Sequence, residues 1–351
     1  WISSLALSQI NTVNEPILLT ASAAILGDET IPDVNVMLDG QIRVDTDLRN
    51  IILSHFDTSV AGLLKEPINS QLNGKLDLAS AKADLQLSAS LSGSNIAGTI
   101  VWSRLESPAL KINLTTNSLD LDSMHPKSMP ISTQDHLDKI KSAAQASTKG
   151  ARVFPQPIRL PHNLDLELEI KANQLLSNSQ VITDVQVNLQ IRDGVASFDH
   201  IVGIFHGGDL QAKAIINLRR PVITAEIFGS IHRVNMNPLL ASLGSTVVAS
   251  GVADMNWDLK TAGVTSDALT ASLEGSFGVK AEKLVFDTVS LQGLICGAIA
   301  VINNIPPVTR LPAIAPATDL GILLKFNSGE GKIEQFQIES PGVAFKGVGN
   351  I

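Results

Sequence analysis

Tyrosine is absent from the 351-residue sequence, and only ten phenylalanines and three tryptophans supply aromatic rings. That scarcity removes the stacking platforms on which bases or sugars are usually held. Cysteine is nearly absent too. Cys296 stands alone, so the chain can form neither an internal disulfide nor a cysteine-based zinc site, which leaves the redox compartment open. Basic residues are outnumbered 26 to 34, for a net charge of −8, and they form no cluster dense enough to neutralise a phosphate backbone. Nucleic acid is therefore excluded as an expected partner. Long hydrophobic runs are also missing: the longest, Val289 to Ile302, is interrupted by Gln292 and falls short of the ~20 residues that a spanning helix needs. Glycine and proline sit near ordinary usage, which excludes collagen-like and low-complexity classes.

Catalytic signatures are missing as well: no HExxH, CxxC, GxSxG or Walker loop occurs. The seven histidines show no pair at metal-ligand spacing, so neither metal nor cofactor is expected. His206, Gly207, Gly208 and Asp209 read as a strand-joining turn, and Gly347-Val348-Gly349 as part of a strand rather than a dinucleotide fingerprint. Cys296 lies in an apolar stretch without a neighbouring base and reads as an inert thiol. Asp165, Glu167 and Glu169 alternate along one strand face, which solvation explains without a glycosidase pair. The chain is expected not to be an enzyme.

Aliphatic alternation is what the sequence does contain. Hydrophobic residues make up 44% and charged residues 17%, enough apolar surface to fold. Leu164, Leu166, Leu168 and Ile170 alternate with Asp165, Glu167, Glu169 and Lys171, and Val185, Val187, Leu189 and Ile191 alternate with Gln186, Asn188, Gln190 and Arg192. Such a period of two predicts strands with one apolar and one polar face. Asp193-Gly194 then supplies a tight turn into Val195 to Phe198. Further strands are predicted over 72–78, 83–91, 96–102, 110–114, 210–218, 222–228, 252–259, 320–326 and 336–345, with turn dipeptides at Asp39-Gly40, Asn73-Gly74 and Ser328-Gly329.

Helices are predicted to be few. Asn237 reads as an N-cap with Pro238 at the first helical position and Gly244 at the C-terminal end, and Ser266 reads as the cap of a helix over Asp267 to Leu273, with Gly275 after it. Gln134 to Ala146 is amphipathic and is followed by prolines at 155, 157 and 161. The expected organisation is thus a β segment over 1–132, an inserted helix and linker over 133–158, and a second β region over 159–351. Residues Gly93 to Met124 are echoed by Gly208 to Met236, with turns at Ser107-Pro108 and Arg220-Pro221, which predicts a repeated strand unit. The chain opens at Trp1 without a methionine and ends at Ile351 inside a strand pattern, so it reads as a piece of a longer protein.

From about Leu160 onward, a series of landmarks in fixed order resembles the C-terminal region of the AsmA family of bacterial envelope proteins. They are Asn163 to Ala172, Ile182 to Val195, Ile204 to Leu210 with His206 where an aromatic is frequent, Val234 to Leu240, Ser266 to Gly275, Val289 to Leu294 and Ile338 to Val343. The resemblance implies a long, bent antiparallel sheet forming an apolar groove built of repeated strand units. It also implies a periplasmic location, an inner-membrane anchor outside this chain, and transport of phospholipid toward the outer membrane. On that reading the groove is lined by Leu85, Leu87, Leu164, Leu166, Leu168, Ile170, Val185, Val187, Leu189, Ile191, Leu210, Ala212, Ala214 and Ile216. The alternative is an assembly factor for outer-membrane proteins that works through exposed strand edges; a carbohydrate-acting enzyme is the weakest reading.

Overall fold

The computed structural model describes residues 2–8, 15–25, 34–47, 49–62, 66–103, 109–123, 165–178, 180–219, 222–245, 248–286, 318–340 and 343–350. They form strands β1 (Ile2–Ser8), β2 (Ile17–Ile25), β3 (Val34–Val44), β4 (Asn50–Ala61), β5 (Ile68–Asp77), β6 (Lys82–Leu91), β7 (Ser94–Ser103), β8 (Ala109–Asp120), β9 (Asp165–Ser177) and β10 (Gln180–Arg192). The chain continues with β11 (Val195–Phe205), β12 (Gly208–Asn217), β13 (Ile223–Asn235), helix α1 (Met236–Ser242), β14 (Ala249–Gly263), helix α2 (Ser266–Ala271), β15 (Glu274–Phe286), β16 (Thr318–Asn327), β17 (Glu330–Ser340) and β18 (Val343–Asn350). The predicted mainly-β class with a few short helices is what the chain adopts. The helix predicted over 134–146, the borders at 132/133 and 158/159, Leu164 and Cys296 lie outside the described residues.

Two compact units divide the chain, one holding residues 1–178 and 185–196, the other 179–184 and 197–351. In the first, each strand from β1 to β8 pairs antiparallel with the next. β9 then runs parallel to β8 and also pairs with β10. That parallel pair departs from the antiparallel expectation, and the chain between its strands is long enough for the return such a pair requires. In the second unit β12 to β18 form an unbroken antiparallel series. The two echoed segments each hold an antiparallel strand pair, β7–β8 and β12–β13.

Tight turns with two left-handed residues close several hairpins. Asp193-Gly194, His206-Gly207 and Ser328-Gly329 all have positive φ at both positions, the geometry that matches strand twist. Asp39-Gly40 and Asn73-Gly74, predicted as turns, instead lie inside β3 and β5. The reason is close approach: a Cβ on Gly40 would stand 2.8 Å from Phe56 Cα, so glycine is required there by a neighbouring strand rather than by a reversal. The strand predicted over 336–345 is two strands, β17 ending at Ser340 and β18 starting at Val343.

Both helices begin earlier than their cap residues suggested. Asn235, not Asn237, is the N-cap of α1, and it makes no side-chain capping bond. Thr265, not Ser266, caps α2, its Oγ1 accepting from the Ala268 N–H at 3.2 Å. Gly244 does take the left-handed conformation after α1, φ 73°. Gly275 belongs to β15.

Period two is broken at several register shifts among the described strands, and three of them are alike. His55 in β4, Arg233 in β13 and Lys283 in β15 have φ of 50°, 58° and 56°, and each marks a register shift in its pairing. These are β-bulges, in which one extra residue bends the strand and shifts the side-chain phase. The next residue is buried each time: Phe56 at 9% exposure, Val234 and Leu284 at 0%. Val234 and Leu284 join Ile231, Met236, Leu239, Ala249, Ala253 and Ala281 in a cluster under α1. Replacing Leu284 by Ala should therefore cost about 3 kcal/mol, whereas Leu87→Ala, on a half-exposed strand face, should cost about 1 kcal/mol. Urea unfolding checks the pair, and equal losses would contradict the deeper burial of Leu284 in that cluster.

Candidate functional site

Cross-strand register decides which side chains share a face, because residues directly opposite one another point the same way. In the first unit, Ile42 lies opposite Leu53, Leu53 opposite Gly74, Gly74 opposite Leu85, Leu85 opposite Ile100, Ile100 opposite Ile112, and Ile112 opposite Leu168. A second row runs Phe56, Leu72, Leu87, Gly98, Leu114 and Ile170. A third runs Val44, Ile51, Leu76, Ala83, Trp102, Leu110 and Leu166. The three rows make one aliphatic strip across β3 to β9, roughly 29 Å at the usual strand spacing.

Strand β10 adds to it. Arg192 Nη2 reaches Glu167 Oε1 at 3.1 Å, so the polar side of β10 is the polar side of β9, and Val187, Leu189 and Ile191 fall on the strip by alternation. Leu85, Leu87, Leu166, Leu168, Ile170, Val187, Leu189 and Ile191 are thereby brought to one face. Val185, the residue after Asp184 with its φ of 53°, keeps the same phase and is 4% exposed.

The second unit carries a strip of its own. Leu210 lies opposite Ile231, Ile231 opposite Met255, Met255 opposite Val279, Val279 opposite Ile322 and Ile322 opposite Phe336. A parallel row runs Ala212, Gly229, Trp257, Phe277 and Leu324. Ala214 and Ile216 extend the face along β12, opposite Ile227 and Ala225. A Cβ on Gly229 would collide with the Trp257 ring, so glycine there lets the indole lie across the sheet.

Burial shows how these strips are covered. A second sheet at about 10 Å would bury such leucines fully. Leu85, Leu87, Leu166, Leu168, Ile170, Val187 and Leu189 all keep intermediate exposure instead. One row beside the strip carries hydroxyls: Thr58 and Ser70 face each other and hydrogen-bond, and Thr116 donates to Ser118 O at 2.7 Å. Their polar atoms are thus satisfied within the chain.

The hollows of each unit open mainly among polar side chains. One of about 820 Å³ in the first unit includes Thr20, Asp39, Asp57, Asn69, Gln71 and Ser88 in its lining, and one of about 480 Å³ in the second includes Asn256, Lys280, Glu282, Asp319 and Gln337. Leu168 and Leu189 also border a small hollow of about 150 Å³ with Lys111, Glu167 and Asn188, and Ala212 one of about 250 Å³ with Lys213 and Ser230. Among the described residues no second sheet lies over either strip.

The ion pairs of β8, β9 and β15 lie on the face opposite the strips. Lys111 Nζ lies 3.7 Å from Glu167 Oε2, Lys171 Nζ 2.7 Å from Glu169 Oε1, and Lys280 Nζ 2.9 Å from Glu282 Oε1. The hydrogen bond from Lys171, then its charge, hold the Glu169 carboxyl below the usual carboxylate range, and the hydrogen bond to Glu282 holds Lys280 above the usual lysine range. His206 sits in the β11–β12 turn with Nε2 3.0 Å from Gln180 Oε1 and its ring against Phe205. Asp209, the second residue of β12, lies opposite His232. Among the described residues no group of His, Cys, Asp and Glu is placed to hold a metal ion, and no helix is long and apolar enough to cross a membrane.

Sequence reasoning missed the strip residues of β3 to β5 and β13 to β17, among them Leu53, Phe56, Trp257 and Phe336. The bulges hid part of this set, since Leu53 and Phe56, Ile231 and Val234, and Ala281 and Leu284 are each three residues apart instead of two. A spacing of two, two, three, two with an Asn or Asp ahead in the next strand was the available signal.

A family model described as the AsmA family matches residues 37–305. The match starts well before Leu160, where the sequence landmarks begin, and stops before the one at Ile338 to Val343. No curated protein matches the chain, and no solved structure does.

The ion pairs of the polar face yield a titration test. A carboxyl with a depressed folded-state pKa contributes stability above its unfolded value and loses that contribution as pH falls through the folded value. Side-chain NMR of Glu169 should thus show a midpoint below that of an ordinary glutamate, and Lys171→Ala should move it back up. A midpoint unmoved by Lys171→Ala would assign the shift elsewhere.

Proposed function

Because the chain belongs to the AsmA family, we propose that its apolar strips hold the acyl chains of phospholipid and let them cross the periplasm between inner and outer membrane. The chain acts as a binding surface rather than as an enzyme. Its partners on this reading are phospholipid and the two membranes, with an inner-membrane anchor supplied by a segment outside these 351 residues. The observation that supports it is the two-faced register: aliphatic rows on one side, ion pairs and amides on the other, and leucines left partly exposed where a folded sandwich would bury them.

Energetics favour an acyl chain as the occupant. Carrying lipid through water exposes its tails at ~0.8 kcal/mol per methylene, on the order of ten kcal/mol for one chain. An aliphatic surface one strand spacing after another removes most of that cost at every step. Exposed apolar patches of this size on soluble proteins mark a site of interaction.

Facing is the first test. A photocrosslinker at Leu166 or Leu189 should capture phospholipid, and one at Glu167 or Gln190 should not; equal capture on both faces would sink the reading. Native mass spectrometry of the purified chain should show bound phospholipid, whereas lipid-free protein that captures unfolded barrel strands would move the assembly-factor reading ahead.

Passage is the second test. Leu168→Asp with Val187→Asp puts two carboxylates where acyl chains must slide, at a desolvation cost of several kcal/mol per ion. Lipid transfer between inner- and outer-membrane vesicles should stop, while Glu167→Asp with Gln186→Asp on the polar face leaves it intact. A folded Leu168/Val187 variant that still transfers lipid would overturn passage along the strip.

A further inference from the structure

The three bulges share one construction. The backbone N–H of His55 donates to Asn73 Oδ1 at 2.7 Å, that of Arg233 to Asp254 Oδ1 at 2.8 Å, and that of Lys283 to Asp319 Oδ1 at 2.8 Å. Each donor is a non-glycine residue in the left-handed region, and each acceptor sits on the following strand. Without the extra residue, strict alternation would turn Phe56, Val234 and Leu284 onto the polar face. With it, Phe56 lies opposite Leu72, and Val234 opposite Ala253, both in phase with the strip.

We propose that Asn73, Asp254 and Asp319 are positioning residues of the lipid-binding strips, each latching a bulge that keeps the strip in phase and bends its strand. The proposal rests on the lipid reading above. An acceptor oxygen is the whole requirement, so asparagine and aspartate serve equally, and both occur. The latch also explains why three residues of unlike side chain, His55, Arg233 and Lys283, tolerate the same unfavourable backbone: the bond is made by the N–H and not by the side chain. Asp254 Oδ1 also lies 3.7 Å from His232 Nδ1, but its shorter contact is with the Arg233 amide.

The full chain carrying Asp254→Ala and Asp319→Ala is compared with Asp254→Asn and Asp319→Asn. Hydrogen exchange reads the amides of Arg233 and Lys283, and vesicles containing a phospholipid with a fluorescent head group read bound lipid per folded chain. The alanine pair should lose about tenfold of amide protection, as loss of one charge-assisted hydrogen bond implies, together with most of the bound probe. The asparagine pair should retain both. A purely structural role would lower the melting temperature and leave probe per folded chain unchanged, and that result overturns the proposal. If the alanine pair does not fold, Asn73→Ala, whose Phe56 lies outside the cluster under α1, makes the same comparison at His55. Wild-type protein that takes up no probe overturns the lipid reading, and the latches then stand or fall on amide protection alone.

Discussion

A sheet satisfies its backbone through the hydrogen-bond ladder, but nothing in the ladder covers its side chains. The units described here depend on how that second requirement is met. In the first, every strand from β1 to β8 pairs with its sequence neighbour, so the main-chain donors and acceptors are used up locally. What remains is a face of Leu, Ile and Val whose members shelter one another sideways along each row. Lateral shelter leaves them partly exposed, and on the proposed lipid reading a bound acyl chain relieves the contact of that aliphatic surface with water.

The second unit shows what true burial demands. Val234, Leu284 and Ala249 reach 0% exposure only where bulges redirect β13 and β15 and α1 lies over them. A left-handed non-glycine residue costs about 1–2 kcal/mol, and a hydrogen bond to a carboxylate contributes about 1.5–3 kcal/mol, so each latch roughly offsets its own strain. The burial of the following leucine or valine is then a net gain. Among the described residues no buried side-chain nitrogen or oxygen is left without a partner.

Strands with unbroken alternation were legible because the period alone specifies a face. Leu166 to Ile170 and Val185 to Ile191 were of this kind, and so was β6 with Leu85 and Leu87. Glycines misled where their reason was tertiary: Gly40 and Gly74 are demanded by a neighbouring strand, information that a turn dipeptide does not carry. The helix caps were misplaced by one or two residues, since Asn235 caps through its backbone alone and Thr265 was passed over for the serine beside it. Register was not legible at all. That Leu85 and Leu168 belong to one row follows from a parallel pair, β8–β9, whose partners are more than fifty residues apart in the chain.

Composition and register together bear on what kind of binding such a strip supports. A pocket that selects a ligand places a few polar or aromatic anchors at fixed points, which makes one position far better than the next. The rows of the first unit hold no charged residue, and across most of their length each position offers a leucine, isoleucine or valine much like its neighbour. A methylene chain lying on them gains nearly the same dispersion and burial wherever it lies. The free-energy profile along the strip is then shallow, and small steps between neighbouring strands do not require contact to be lost. The scarcity of aromatic rings, which argued against a stacked sugar or base, is the same property viewed from the other side: a surface without anchors is poor for selection and well suited to passage.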